Sequence, residues 1–552
     1  MLSRRCFLLS STSATGLFVA GCDIYEPEVE RPSDLPKFGI DIHTHVFNAT
    51  DIPIPGFLGQ VFFRSPEKPV SGNYPTSALI RLITDIFLTT TRTAAQELAS
   101  LSGLRTVSLT DAETLRERDK RVVAEGIREF EQQNKGLNAE AMNRDGLEDA
   151  RLMQELNQLA GGSMFAMRGS RDLGTAVAEA VFDDPVEVES TQSFSGGGGN
   201  LAQNLKWAAL LTRDRKDILG ELIRLYGLRT PKNGGAPVGI RAFSPSLVDF
   251  EYWFLEKPQT RFSPIPDQIA LMSRLARLEQ RAVLLNFVPF CPLRAAIKGD
   301  AWHQVIRDAI TNRGFVGMKL YPPMGFKPIG NPAGERFGQR AKVSGAAIDR
   351  ELRRMYRWCE RNGVPIKAHG NNSLAAGQCS GRNAAPNLWA PVLEEFPELR
   401  VNIAHFGGFE EETPTDACAD DMPSYEERVA ALITRFDNAY VDLGYWNEVA
   451  GRNRPGRAIV QKVNALLADH DRLGSRIMYG SDYTMIGREP QHGSYLTDLR
   501  AAIARLEGVE EERIFSLNAQ SFLQLDDPDS PTRRRLRRFF PRNHAYFQAV
   551  GE

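Results

Sequence analysis

The sequence predicts an α/β fold, a (β/α)8 barrel carrying a large, mostly helical insertion between its first two strands. Three observations predict it. Eight short apolar runs are each followed by loop chemistry, helical patterns alternate with the later runs, and four of the 8 histidines fall at the C-terminal ends of those runs. In a closed parallel barrel those ends share one face, where active sites are built.

The runs, in order, are Phe38 to His45, Gly239 to Val248, Ala282 to Phe290, Gly314 to Tyr321, Val364 to His369, Leu399 to His405, Ala439 to Leu443 and Arg476 to Asp482. Helical patterns over Ala346–Arg361, Leu388–Phe396, Tyr425–Phe436 and Gly456–Ala468 separate the later strands, which argues for right-handed crossovers in a parallel sheet. Residues 37–50 and 239–528 make the barrel on this reading. Residues 51–238 break the rhythm with helical segments at Thr76–Leu101, Asp111–Gln133, Ala139–Ala160 and Leu201–Tyr226. Thr110 and Glu113 have the spacing of a capping box for the second of these. The glycine run Gly196–Gly199 is expected to be a flexible tip. Because the insertion follows strand one, it is expected on the active-site face, as a cap or as a stabilising elaboration.

Both ends of the chain differ from the middle. Ser3-Arg4-Arg5-Cys6-Phe7-Leu8 resembles a twin-arginine export signal, and Val19-Ala20-Gly21-Cys22 resembles a lipobox whose cysteine is lipidated. Residues 1–21 are therefore expected to be removed. Residues 22–36, rich in proline and acid, suit a tether from a lipid anchor on Cys22 to a domain facing the periplasm. Residues 529–552 form a basic tail in which Arg533, Arg534, Arg535, Arg537 and Arg538 stand beside Leu536, Phe539 and Phe540. Such a helix either touches anionic headgroups or packs its apolar face on the barrel.

Composition narrows the class. Charged residues at 25%, hydrophobic residues at 42% and a net charge of -2 fit a globular domain and give no case for nucleic-acid binding. The 6 cysteines contain no CxxC pair, so no disulfide scaffold is expected. Cys379 and Cys418 follow consecutive strands in an oxidising compartment. A bridge between them is open, with isolated thiols as the default. Oligomeric state is not readable.

The chemistry lies at the strand ends. Strand alternation puts His43 and His45 on one side, where both imidazoles can share a metal. His369 closes Val-Pro-Ile-Lys-Ala-His and His405 closes Val-Asn-Ile-Ala-His. Either one by itself reads as a satisfied core histidine; at matching strand ends beside a His-x-His pair, the set reads as ligands. Asp482 follows the last strand, where a carboxylate can bind metal and take a proton from a bound water. His303, His470 and His544 read as structural. His492, after strand eight, is a weaker substrate-facing candidate, and Arg241 and Asp249, flanking strand two, are weaker still.

This order of strand-one His-x-His, strand-five His, strand-six His and strand-eight Asp resembles the amidohydrolase superfamily of metal-dependent barrel hydrolases. Asn387-Leu-Trp-Ala-Pro391 through Ala404-His405-Phe-Gly-Gly408 is similar to its amidohydrolase-related branch, which also holds decarboxylases, lactonases and hydratases. The resemblance implies a divalent metal, zinc by preference, as one or two ions. With two, Lys319 carries CO2 and bridges a cation on His43, His45 and Asp482 to another on His369 and His405. With one, His43, His45, His369 and Asp482 are ligands, His405 is the general acid/base and Lys319 contacts substrate. In both, Asp482 moves the proton. The expected activity is hydrolysis of a small amide, ester or lactone. The alternatives are a non-oxidative decarboxylase on the same scaffold and a non-catalytic lipoprotein that uses the barrel for binding.

Overall fold

The structure, a computed structural model, describes residues 39–59, 78–134, 144–161, 172–183, 201–229, 239–254, 257–371, 379–408, 422–446, 449, 455–489 and 492–552. All lie in one unit of the chain, Arg31–Glu552. The export signal, Cys22 and its tether, the glycine run and Cys418 fall outside the described residues.

Eight parallel strands can be followed around a ring: β1 (Ile40–Thr44), β2 (Ala242–Pro245), β3 (Val283–Leu284, resuming at Phe287–Pro289), β4 (Gly317–Leu320), β5 (Ile366–His369), β6 (Val401–Ala404), β7 (Ala439–Asp442) and β8 (Ile477–Met478). Each pairs with the next in parallel, from β1 to β3 and from the resumed half of β3 to β8. The two halves join where Ser246 bridges Phe287 and the Leu247 amide donates to the Phe287 carbonyl at 3.0 Å. The ring closes between β1 and the chain leaving β8. There the Ile42 amide donates to the Tyr479 carbonyl (3.0 Å), Asp482 to His43 (2.6 Å) and His45 to Tyr483 (3.1 Å). Closure puts Asp482 beside the first two histidines.

The strands are buried along their whole length, polar residues such as Asp41, Lys367 and Asn402 included. β3 is interrupted at Leu285-Asn286, where the Asn286 side chain turns to the Met272 carbonyl (3.3 Å). Outside the ring, Gly345–Arg361 shows how the helices are chosen. Ile348, Leu352, Met355, Tyr356 and Cys359 recur on one buried face, arginines and acids fill the other, and the Ser344 side chain caps the first turn.

Between β1 and β2 the described residues form α1 (Ala78–Thr90), α2 (Ala94–Ser100), α3 (Ala112–Gln133), α4 (Arg144–Gly161), α5 (Leu173–Phe182), α6 (Leu201–Leu211) and α7 (Arg215–Tyr226). Two segments expected to be continuous are broken. Thr93 starts a new helix with its own capping box after Thr90, and Ser/Thr side chains compete with helix hydrogen bonds in that way. Leu201–Tyr226 breaks before Arg215. The cap of α3 is Asp111, which accepts from the Thr114 amide at 2.8 Å; Thr110 instead donates to Asp217. The Thr110–Glu113 box was thus one residue out of register.

The insertion is pinned to the end of β1 by a buried charge cluster. The Arg215 guanidinium binds both Asp51 (Nε–Oδ2 2.7 Å) and Glu97, and Asn48 donates to Glu97 at 3.1 Å. Burial, opposed by Arg215, pushes Glu97 up to about 8, while both of its oxygens accept from Arg215. A second pin reaches β8, where Trp207 Nε1 donates to the Thr484 carbonyl at 2.8 Å.

The basic tail is a helix, Pro531–Phe539, that buries Leu536, Phe539 and Phe540. Arg533 and Arg535 are buried against the Leu525 and Asn362 carbonyls, and Arg537 pairs with Glu552. Those three arginines are thereby engaged within the chain. Cys291 and Cys359 are free and buried. Cys379 is disulfide-bonded, with a partner outside the described residues, which corrects the expectation of isolated thiols for that residue.

Candidate metal centre

All six residues singled out in the sequence, His43, His45, Lys319, His369, His405 and Asp482, are buried together at the C-terminal ends of β1, β4, β5, β6 and β8. Their ring nitrogens are oriented by neighbours that can only accept. His43 Nδ1–H donates to Asp442 Oδ1 (3.0 Å), His45 Nδ1–H to the Ser246 carbonyl (2.8 Å) and His405 Nδ1–H to the Gly444 carbonyl (2.9 Å). Each imidazole therefore turns an Nε2 lone pair inward.

Two nests of donor atoms result. In the first, Asp482 Oδ1 lies 3.3 Å from His45 Nε2 and 3.6 Å from His43 Nε2, and Lys319 Nζ is 3.1 Å from His43 Nε2. Zinc–nitrogen bonds of ~2.0–2.1 Å imply ligand atoms roughly 3.3 Å apart in a tetrahedron, which these separations match. In the second, His369 Nδ1 faces His405 Nε2 at 3.0 Å, while His369 Nε2 is 2.6 Å from Asn371 Oδ1. Both separations are hydrogen-bond distances, so a ring proton or a cation can occupy the gap between the two imidazoles.

The electrostatics fit a cation. Asp482 Oδ1 is buried and has no hydrogen-bond partner, a state costly unless a positive charge sits beside it. Burial lowers His43, His45 and His369 well below the usual histidine range and His405 to about 4, so all four rings are neutral at pH 7, as metal ligands must be. Burial also lowers Lys319 to about 8, against the pull of Asp442 and Asp482. The N/O donor set suits a first-row divalent ion.

Asp442, at the end of β7, was missed in the sequence. Besides His43 it accepts from the amides of His405 (3.1 Å) and Gly444 (2.9 Å) and from Asn402 Nδ2 (2.6 Å). Burial would raise it, but His43, His405 and Asn402 outweigh that and hold the carboxyl well below its ordinary range. Its signal was present, since Ala-Tyr-Val-Asp ends a strand in a polar residue just as the histidine runs do. The backbone is also drawn tight here. Of seven described non-glycine residues with left-handed φ, His405, Phe406, Tyr445, Asp482 and Thr484 lie on the loops after β6, β7 and β8. Such residues cost about 1–3 kcal/mol each and persist where surrounding structure fixes them.

The other histidines fall elsewhere, while Asp249 lines a small recess that Lys319 also lines. His303 pairs with buried Glu351 (2.8 Å), His470 with Thr434 (2.7 Å), and His544 donates to the Ala276 carbonyl (2.9 Å), all structural contacts. His492 bonds back to the Glu489 carbonyl at 2.9 Å. Asp249 takes a two-point hydrogen bond from Arg294.

Residues 298–525 match the amidohydrolase family model. That span carries β4 to β8, and with them Lys319, His369, His405, Asp442 and Asp482; His43 and His45 lie outside it. No curated protein matches the sequence. Similar solved structures include an uncharacterised TIM-barrel protein from Bordetella bronchiseptica (16% identity, 57% of this chain and 84% of that chain, TM-score 0.33). Others are an amidohydrolase from Burkholderia multivorans with bound zinc (16%, 58% and 91%, 0.34) and amidohydrolase 2 from Bifidobacterium longum subsp. infantis (10%, 57% and 87%, 0.30). The strand order and closing hydrogen bonds, not these likenesses, define the fold.

Proposed function

We propose that this chain is a metal-dependent hydrolase of the amidohydrolase superfamily, acting on a small amide, ester or lactone through a metal-activated water. The observation that carries the reading is the buried, unpartnered Asp482 Oδ1 beside two inward Nε2 lone pairs. His43, His45 and Asp482 would hold one divalent cation, and Lys319, His369 and His405 would serve a second. A cation bound there lowers the pKa of a coordinated water to roughly 7 and polarises a carbonyl.

The chain's own residues do the rest. Asp482 would take the proton from the attacking water and deliver it to the leaving nitrogen or oxygen. Asp442 holds the His43 ring and the His405 backbone still during that transfer. The aromatic neighbours, Tyr321 stacked on His369 at 4.2 Å among them, thin out competing water around the cluster.

A panel of simple esters, lactones and amides tests the reading with the full-length protein. Hydrolysis of at least one class should vanish on dialysis against a chelator and return with zinc. Asp482→Asn should cut the rate by ~10²–10⁴. Hydrolysis indifferent to both treatments would refute it.

A further inference from the structure

Lys367 stands in β5 two residues before His369, so strand alternation puts it on the same inward side, one layer beneath the metal centre. It is wholly buried, and among the described residues no carboxylate pairs with it. A buried amine without an opposite charge costs free energy that a methionine of similar length would not, so what it offers the fold is its hydrogen bonds. Both lead across the barrel to the end of β2. Nζ donates to Ser246 Oγ at 2.8 Å and to the Ser244 carbonyl at 3.1 Å, and it lies 4.1 Å from the centre of the Phe287 ring. The Ser246 carbonyl is in turn the acceptor that orients His45, through Nδ1–H at 2.8 Å.

Ser246 sits where the ring of strands is thinnest. Where β3 resumes, its pairing with β2 is a single bridge from Ser246 to Phe287, next to the interruption at Leu285-Asn286. The Ser246 amide adds one bond to the Thr44 carbonyl (2.9 Å) and the Leu247 amide one to Phe287 (3.0 Å). β5, by contrast, is paired along both edges, with Lys367 in register with Lys319 on one side and Asn402 on the other. It gives the amine a fixed base from which to hold the weaker junction.

We infer that Lys367 is a positioning residue for the metal centre: from β5 it holds Ser246, and through the Ser246 carbonyl it fixes the His45 ring with Nε2 turned to the cation. This rests on the metal-dependent reading and adds to it a residue that touches neither cation nor substrate.

Titration of the full-length protein with cobalt, whose visible absorption reports its ligand geometry, tests it. Lys367→Met keeps the stem and loses both hydrogen bonds, whereas Ser246→Ala keeps the carbonyl and loses only the Oγ acceptor. Lys367→Met should shift the cobalt bands and weaken cobalt affinity by about tenfold or more, and Ser246→Ala should do the same to a smaller degree. The double variant should be no weaker than Lys367→Met alone, because both changes act through one contact. A lysine that served stability alone would lower the melting temperature and leave the bands in place. Parent-like bands and affinity in folded Lys367→Met would therefore overturn the inference, as would losses that add in the double variant. Should Lys367→Met not fold, the same parent-like result in Ser246→Ala decides against it. No cobalt uptake by the parent would instead refute the metal-dependent reading, and the inference would fall with it.

Discussion

Four hydrogen bonds converge on the Asp442 carboxylate, and two of them fix residues at the centre, the His43 ring and the His405 backbone. Asp442→Asn would set an amide hydrogen against one of those donors. Metal affinity should fall by about 10–100-fold, with the far-ultraviolet circular dichroism unchanged. Gly444 guards the same contact from the other side. A Cβ there would lie 2.7 Å from His43 Nδ1 and 2.9 Å from Asp442 Oδ1, so Gly444→Ala should also lose metal, as read by equilibrium dialysis. The six central residues were legible because each ends or follows an apolar run with a group that water would ordinarily claim. Asp442 carried the same mark. The Ser246 and Gly444 carbonyls were not legible, because backbone groups have no identity in a sequence.

Among the elements, the strands were easier to read than the insertion. Burial on both faces writes a continuous apolar run, whereas the break at Thr93 comes from a local capping box and Arg215 turns to distant partners. Arg215 is the extreme case, since nothing local announces that it will meet Asp51 and Glu97 under the barrel's first loop. Arg215→Met leaves two buried carboxyls without their cation and should destabilise the protein by about 3–5 kcal/mol in thermal denaturation. The tail helix gives a pH signature. Hydrogen bonds from Arg537, with help from Arg533, depress Glu552 from 4.5 to about 2. A depressed acid stabilises above its unfolded value, and that contribution is lost as pH falls through the folded one. Amide protection over residues 531–552, corrected for the intrinsic pH dependence of exchange, should therefore be high at pH 7 and fall progressively below about pH 4.5.

For the molecule as a whole, the ring of strands exists in the folded chain only, so a bound cation should stabilise it by mass action, and chelation should lower the melting temperature. The alternation of strands and helices made this architecture legible. The number of cations was not, because Lys319 ends β4 and His369 and His405 lie side by side under either arrangement. Metal content per chain, by mass spectrometry of the full-length protein beside Lys319→Ala, tests the central claim most directly. The account predicts about two divalent cations in the parent and a clear loss in the variant. About one in both would remove the second position and leave His405 as the acid/base. No metal in either would contradict the account outright.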